Sequence, residues 1–130
     1  MKIKRFISLL LFPLLLTACA PGGGSLPGYE TVSSAEAAEI MARESGYIIL
    51  DVRTAEEFAE SHIPGAINIA NEVIGEVELS ALPDKNQLIL VYCRSGRRSK
   101  EAAAKLVSSG YTNIVEFGGI IDWQGDVVKD

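Results

Sequence analysis

Leu88-Ile89-Leu90-Val91-Tyr92-Cys93-Arg94-Ser95-Gly96-Arg97-Arg98-Ser99 is the stretch that decides the fold. Its first half is a continuous apolar run with β-branched and aromatic members, the pattern of a strand buried on both faces of a parallel sheet. A polar loop with a glycine follows. Ser99 to Ser109 then carries helix formers and stops at Gly110. A buried strand that feeds a helix through a short loop is the unit of an α/β fold.

Working outward, the same alternation continues. Tyr29 to Val32 is expected as a short first strand. Ser33 and Glu36 have capping-box spacing before a helix over Ala35 to Glu44, closed by Gly46. Tyr47 to Val52 is a second apolar strand. Thr54 and Glu57 repeat the capping box and open a short helix through Glu60. His62-Ile63-Pro64-Gly65 reads as a turn. Ala66 to Ala70, with Ile67 and Ile69 on one face, reads as a strand, and Asn71 to Leu82 as partly helical. Ile114 to Phe117 is a last strand before Gly118-Gly119 and a short element from Ile120 to Trp123.

The strand ending at Tyr92 delivers Cys93 to the C-terminal edge of the sheet, where ligands of open α/β sheets bind. The loop behind it curls into a helix N-terminus, which aims backbone N–H groups and the positive end of the helix dipole at the sulfur. Arg94, Arg97 and Arg98 add full charge. Each factor favours thiolate over thiol, so Cys93 is expected to ionise below its free value of about 8.5. A thiolate needs no separate base, so a Cys–His pair is not required. A merely structural cysteine would not explain three arginines and a glycine in the next five residues. Arg97 and Arg98 are expected to clamp an anionic substrate; the competing outcome is that one of them pairs with a surface acid such as Glu101.

Cysteine phosphatases place an arginine at the sixth position after the nucleophile. Here that position is Ser99 and the last arginine, Arg98, falls one residue early. This register argues against phosphatase or arsenate chemistry.

Tyr92 to Ser99 resembles the active-site loop of single-domain bacterial rhodaneses. Asp51-Val52-Arg53 with Glu57-Phe58, His62-Ile63-Pro64-Gly65-Ala66, and Gly118-Gly119 with Trp123 resemble three further motifs of that family, in the family's order. Ser61 departs from it, since a glycine usually precedes the histidine. The resemblance implies a rhodanese-like α/β fold, with a five-stranded mostly parallel sheet and helices on both faces. It implies a sulfurtransferase in which Cys93 takes a sulfane sulfur from thiosulfate or another persulfide donor. The Cys93 persulfide then passes that sulfur to a thiol or cyanide. The N–H groups of Arg94, Ser95, Gly96, Arg97, Arg98 and Ser99 would cradle the persulfide. Asp51, Arg53, Glu57 and His62 are expected in mainly structural pairings. The partners so implied are a small sulfur-containing anion and a thiol acceptor, with room for a protein acceptor. The other reading is a non-catalytic module that carries persulfide or docks a partner. No cofactor beyond the covalent persulfide is implied.

Lys2, Lys4 and Arg5 precede an apolar run from Phe6 to Leu16. Such a run rises only about 16 Å as a helix, against roughly 30 Å of bilayer hydrocarbon, and so reads as a signal-peptide core. Leu16-Thr17-Ala18-Cys19 resembles the bacterial lipobox, which implies cleavage after residue 18 and lipidation of Cys19. Residues 19–28 then form a glycine-rich linker, and residues 29–130 the folded domain. The location so implied is the cell envelope, with the exported domain lipid-anchored to a membrane. Ala20 stands where an aspartate would retain an enterobacterial lipoprotein at the inner membrane, so in a Gram-negative cell the outer membrane, facing the periplasm, is expected.

The three basic residues aside, nine cations face seventeen acidic residues. That imbalance argues against non-specific nucleic-acid binding. Two cysteines and one histidine argue against a Cys/His zinc site. If Cys19 is acylated, Cys93 has no intramolecular disulfide partner.

Overall fold

The structure is a computed structural model and describes residues 28–76 and 78–130. The signal-peptide reading, Cys19 and all but the last residue of the linker lie outside the described residues. Among those described, no helix is long and apolar enough to cross a membrane.

Five strands form one sheet: β1 (Glu30–Thr31), β2 (Ile48–Asp51), β3 (Ile67–Asn68), β4 (Ile89–Cys93) and β5 (Ile114–Gly119). Their order is β1-β5-β4-β2-β3, and every strand pair is parallel. Three α-helices lie between them: α1 (Ser34–Arg43), α2 (Ala55–Glu60) and α3 (Arg97–Ser108); a 3-10 turn, Ile120–Asp122, follows β5. Both capping boxes form. Ser33 and Glu36 exchange side-chain-to-backbone hydrogen bonds at the start of α1, and Thr54 and Glu57 do so at the start of α2.

β4 is central and buried throughout. Its side chains alternate between faces, as the pleat requires. Ile89, Val91 and Cys93 join Ala102, Ala103 and Leu106 of α3, whereas Leu90 and Tyr92 join Ala37 of α1 and Phe117. The sheet thus has a core and helices on each face, and Cys93 points to the α3 side. Ile67 and Ile69 pack against that same cluster, as their spacing implies.

The helical expectation for Asn71 to Leu82 is not met among its described residues. Backbone N–H groups of Val73, Ile74, Glu76 and Leu82 each bond the carbonyl three residues back, giving separate turns. Gly75 has φ +90, which no helix accommodates. The apolar spacing instead reflects two anchors, Ile74 and Leu82, buried against the α3 face.

Candidate active site

Cys93 is the last residue of β4 and is only 1% exposed. The chain reverses at Gly96, whose φ of +114 disfavours any side chain. That conformation returns the Gly96 N–H to the sulfur, 3.0 Å from Sγ. Helix α3 begins at Arg97, two residues before the expected start at Ser99. Ser99 therefore does not cap the helix. Its hydroxyl is buried 3.5 Å from Cys93 Sγ, and it lies 3.0 Å from the Gly96 carbonyl.

Burial pushes the Cys93 thiol up. The hydroxyl of Ser99, when its proton points at sulfur, and the N–H groups of Ser99, Gly96 and Ser95 outweigh that effect and hold it below its ordinary value. The direction is the expected one and its sources are hydrogen bonds rather than the arginines, with the Ser99 hydroxyl contributing only while its proton points at sulfur and the backbone N–H groups contributing in either case.

The three arginines have different surroundings. Arg97 lies on the outer face, its side chain 74% exposed and paired with Glu101 at 2.9 Å. Arg98 spans to α2 and grips Glu57 with both terminal nitrogens, at 2.7 and 3.0 Å. Arg98 and the capping bonds from Thr54 hold the Glu57 carboxyl at about 2, against the resistance of burial. Arg94 is exposed and forms no ion pair among the described residues. Of the two residues expected to clamp an anion, then, Arg97 is engaged by Glu101 and Arg98 by Glu57.

The model of the rhodanese-like domain matches residues 33–126. The chain belongs to the rhodanese-like domain family. It is 41% identical over 73 residues to the thiosulfate sulfurtransferase PspE of Escherichia coli, covering 56% of this chain and 70% of that one. It is 33% identical to a sulfurtransferase of Allochromatium vinosum, covering 71% of this chain and 85% of that one. A solved rhodanese with anions from E. coli superposes with a TM-score of 0.60 at 38% identity, over 65% of this chain and 99% of that one.

In this rhodanese domain the remaining motif residues build the frame around the loop. Asp51 and Arg53 form a buried ion pair at 2.7 Å, and Arg53 also donates to the Ser61 carbonyl at 2.6 Å. Tyr92, next to the cysteine, accepts the Ile63 N–H through its hydroxyl at 3.1 Å. His62 is buried, stacks on Phe58 at 3.7 Å and bonds the Phe58 carbonyl through Nδ1 at 2.8 Å. These are structural pairings, as the motifs implied.

Two features of the rhodanese loop are absent from the sequence reading. A Cβ at Gly119 would lie 1.9 Å from the Arg94 carbonyl oxygen, so the loop rests directly on the Gly119 backbone. Glu116 of β5 is wholly buried beside Ser99, 2.6 Å from its hydroxyl. A carboxylate inside the apolar run Ile114-Val115-Glu116-Phe117 was the available signal.

Proposed function

We propose that this rhodanese domain is a sulfurtransferase that works through a Cys93 persulfide. The observation that carries the reading is the placement of Cys93 Sγ against the Gly96 N–H, at 3.0 Å, within a loop whose donors favour an anion on sulfur. The names of the relatives support the donor class.

In the first half-reaction the thiolate attacks the sulfane sulfur of thiosulfate. A new S–S bond forms, the bond to the sulfonate sulfur breaks, and sulfite leaves with the electron pair. In the second, an acceptor thiolate or cyanide attacks the outer sulfur. The Cys93–S bond breaks, and the cysteine leaves as thiolate, held again by the loop N–H groups. No net oxidation occurs. Arg94 is the cation we assign to the incoming donor, because Arg97 and Arg98 already hold carboxylates.

The lipobox adds a location to the proposal: mature protein beginning at lipidated Cys19, with the domain tethered to the cell-envelope membrane. Cys19→Ser should block maturation or release the protein from the membrane fraction. A soluble wild-type protein with another mature N-terminus would remove this part.

The activity is tested by thiosulfate-to-cyanide sulfur transfer with wild type and Cys93→Ala. Turnover in wild type and none in the variant is expected. Equal turnover in both would overturn the assignment of Cys93.

A further inference from the structure

Glu116 is an unlikely residue for its position on packing grounds alone. Its side chain is 0% exposed within β5. Oε1 accepts the Gly118 N–H at 2.7 Å and faces Ser99 Oγ at 2.6 Å. Oε2 is, among the described residues, the buried side-chain polar atom with no hydrogen-bond partner. The other buried carboxylate, Asp51, has Arg53, whereas Glu116 has no cation among the described residues. A buried carboxylate with a bare oxygen is destabilising, and an apolar residue would avoid that cost. A role at the adjacent sulfur accounts for it.

The link is Ser99. Its hydroxyl has one proton and four neighbouring acceptors. Glu116 Oε1 is at 2.6 Å, the Gly96 and Gly118 carbonyls at 3.0 and 3.3 Å, and Cys93 Sγ at 3.5 Å. The contact with Glu116 Oε1 is the shortest of the four. The proton cannot serve Glu116 and the sulfur together. With it directed at Glu116, Ser99 presents a lone pair to Cys93, which suits a thiol S–H and not a thiolate.

We infer that Glu116 is a positioning residue for Cys93: it draws the Ser99 hydroxyl proton away from the sulfur and so sets how readily that sulfur ionises. This rests on Cys93 being the reacting sulfur. The backbone N–H groups pull toward thiolate, and Glu116 opposes them through Ser99. Other charges near the site come from separate elements: Arg98 of α3 tied to Glu57 of α2, Arg94 in the loop, and Asp51 of β2 tied to Arg53. None of these shares a hydrogen bond with Ser99.

The test is the pH dependence of Cys93 alkylation by iodoacetamide in the full chain, read by peptide mass spectrometry so that Cys19 is scored separately. Glu116→Gln keeps the shape and replaces the acid with a weaker acceptor; its alkylation midpoint should fall by about one pH unit. Glu116→Leu, which offers Ser99 no acceptor, should fall at least as far. In a Ser99→Ala background the Glu116→Gln shift should shrink by more than half. An unchanged or raised midpoint in either folded Glu116 variant would overturn the inference, as would an undiminished shift without the Ser99 hydroxyl. Alkylation needs no sulfur transfer. A failure here leaves the proposed activity standing, and an inactive enzyme with the shifted midpoint would fault the activity and not Glu116.

Discussion

Arg98 on the first turn of α3 holds Glu57 on the first turn of α2 through two parallel hydrogen bonds, Nη1 to Oε1 at 2.7 Å and Nη2 to Oε2 at 3.0 Å. The pair ties the helix that opens behind Cys93 to the neighbouring βα unit. Glu57 is held at about 2, chiefly by Arg98. A carboxyl depressed in the folded state stabilises the fold above its unfolded value and loses that contribution as pH falls through the folded one. Glu57→Gln should therefore be less stable than wild type by roughly 1 kcal/mol at neutral pH, a modest figure because the pair is part-exposed. The difference should shrink between about pH 4.5 and pH 2. Denaturant unfolding at several pH values checks this; a gap that persists at pH 2 would contradict the pairing.

Gly119→Ala would place a methyl group 1.9 Å from the Arg94 carbonyl oxygen. The atoms it would meet, in Arg94 and Ser95, are backbone, so the loop has to move. A destabilisation of about 1–3 kcal/mol is expected, with slower Cys93 alkylation as the N–H cradle is displaced. Thermal melting and alkylation rates measure the two effects. Wild-type alkylation in the variant would mean that the loop does not depend on this contact.

Arg53→Met should be among the most damaging single changes to stability. It leaves Asp51, 0% exposed, without its cation, and it removes the donor to the Ser61 carbonyl. Breaking one side of a buried pair costs about 3–5 kcal/mol. Replacing both partners with apolar residues should recover much of that loss, which chemical denaturation of the single and double variants would show.

The arginines are predicted to separate in steady-state kinetics. Arg94→Ala should raise the KM for thiosulfate several-fold with little change in melting temperature. Arg97→Ala should change neither by much, because its pair with Glu101 is exposed. A larger KM effect from Arg97 than from Arg94 would reverse the assignment made for the donor anion.

What the sequence conveyed about this protein was mostly local. The capping boxes at Ser33 and Thr54 and the buried run of β4 were readable because each depends on neighbours a few residues away. The Arg97–Glu101 contact is likewise an i,i+4 relation, and Glu101 was the acid anticipated for it. The partly helical expectation for Asn71 to Leu82 fails among its described residues, because the apolar positions Ile74 and Leu82 are anchors of separate turns and not one face of a helix. The helix formers from Ser99 onward mark α3 but not its start at Arg97, which the turn at Gly96 sets, and the Ser99 hydroxyl serves Glu116 and the loop. The contacts that complete the site join distant positions: Glu57 with Arg98, Gly119 with Arg94, and Glu116 with Ser99. No periodicity or local spacing encodes those.

The central claim is the covalent sulfur on Cys93, and intact-mass analysis after exposure to thiosulfate without acceptor tests it most directly. The wild-type protein should gain the mass of one sulfur atom, located to Cys93 by peptide mapping. Cyanide or a small thiol should remove it, and Cys93→Ser should gain nothing. A wild-type protein that takes up no sulfur from thiosulfate or from any other persulfide donor would contradict the mechanism.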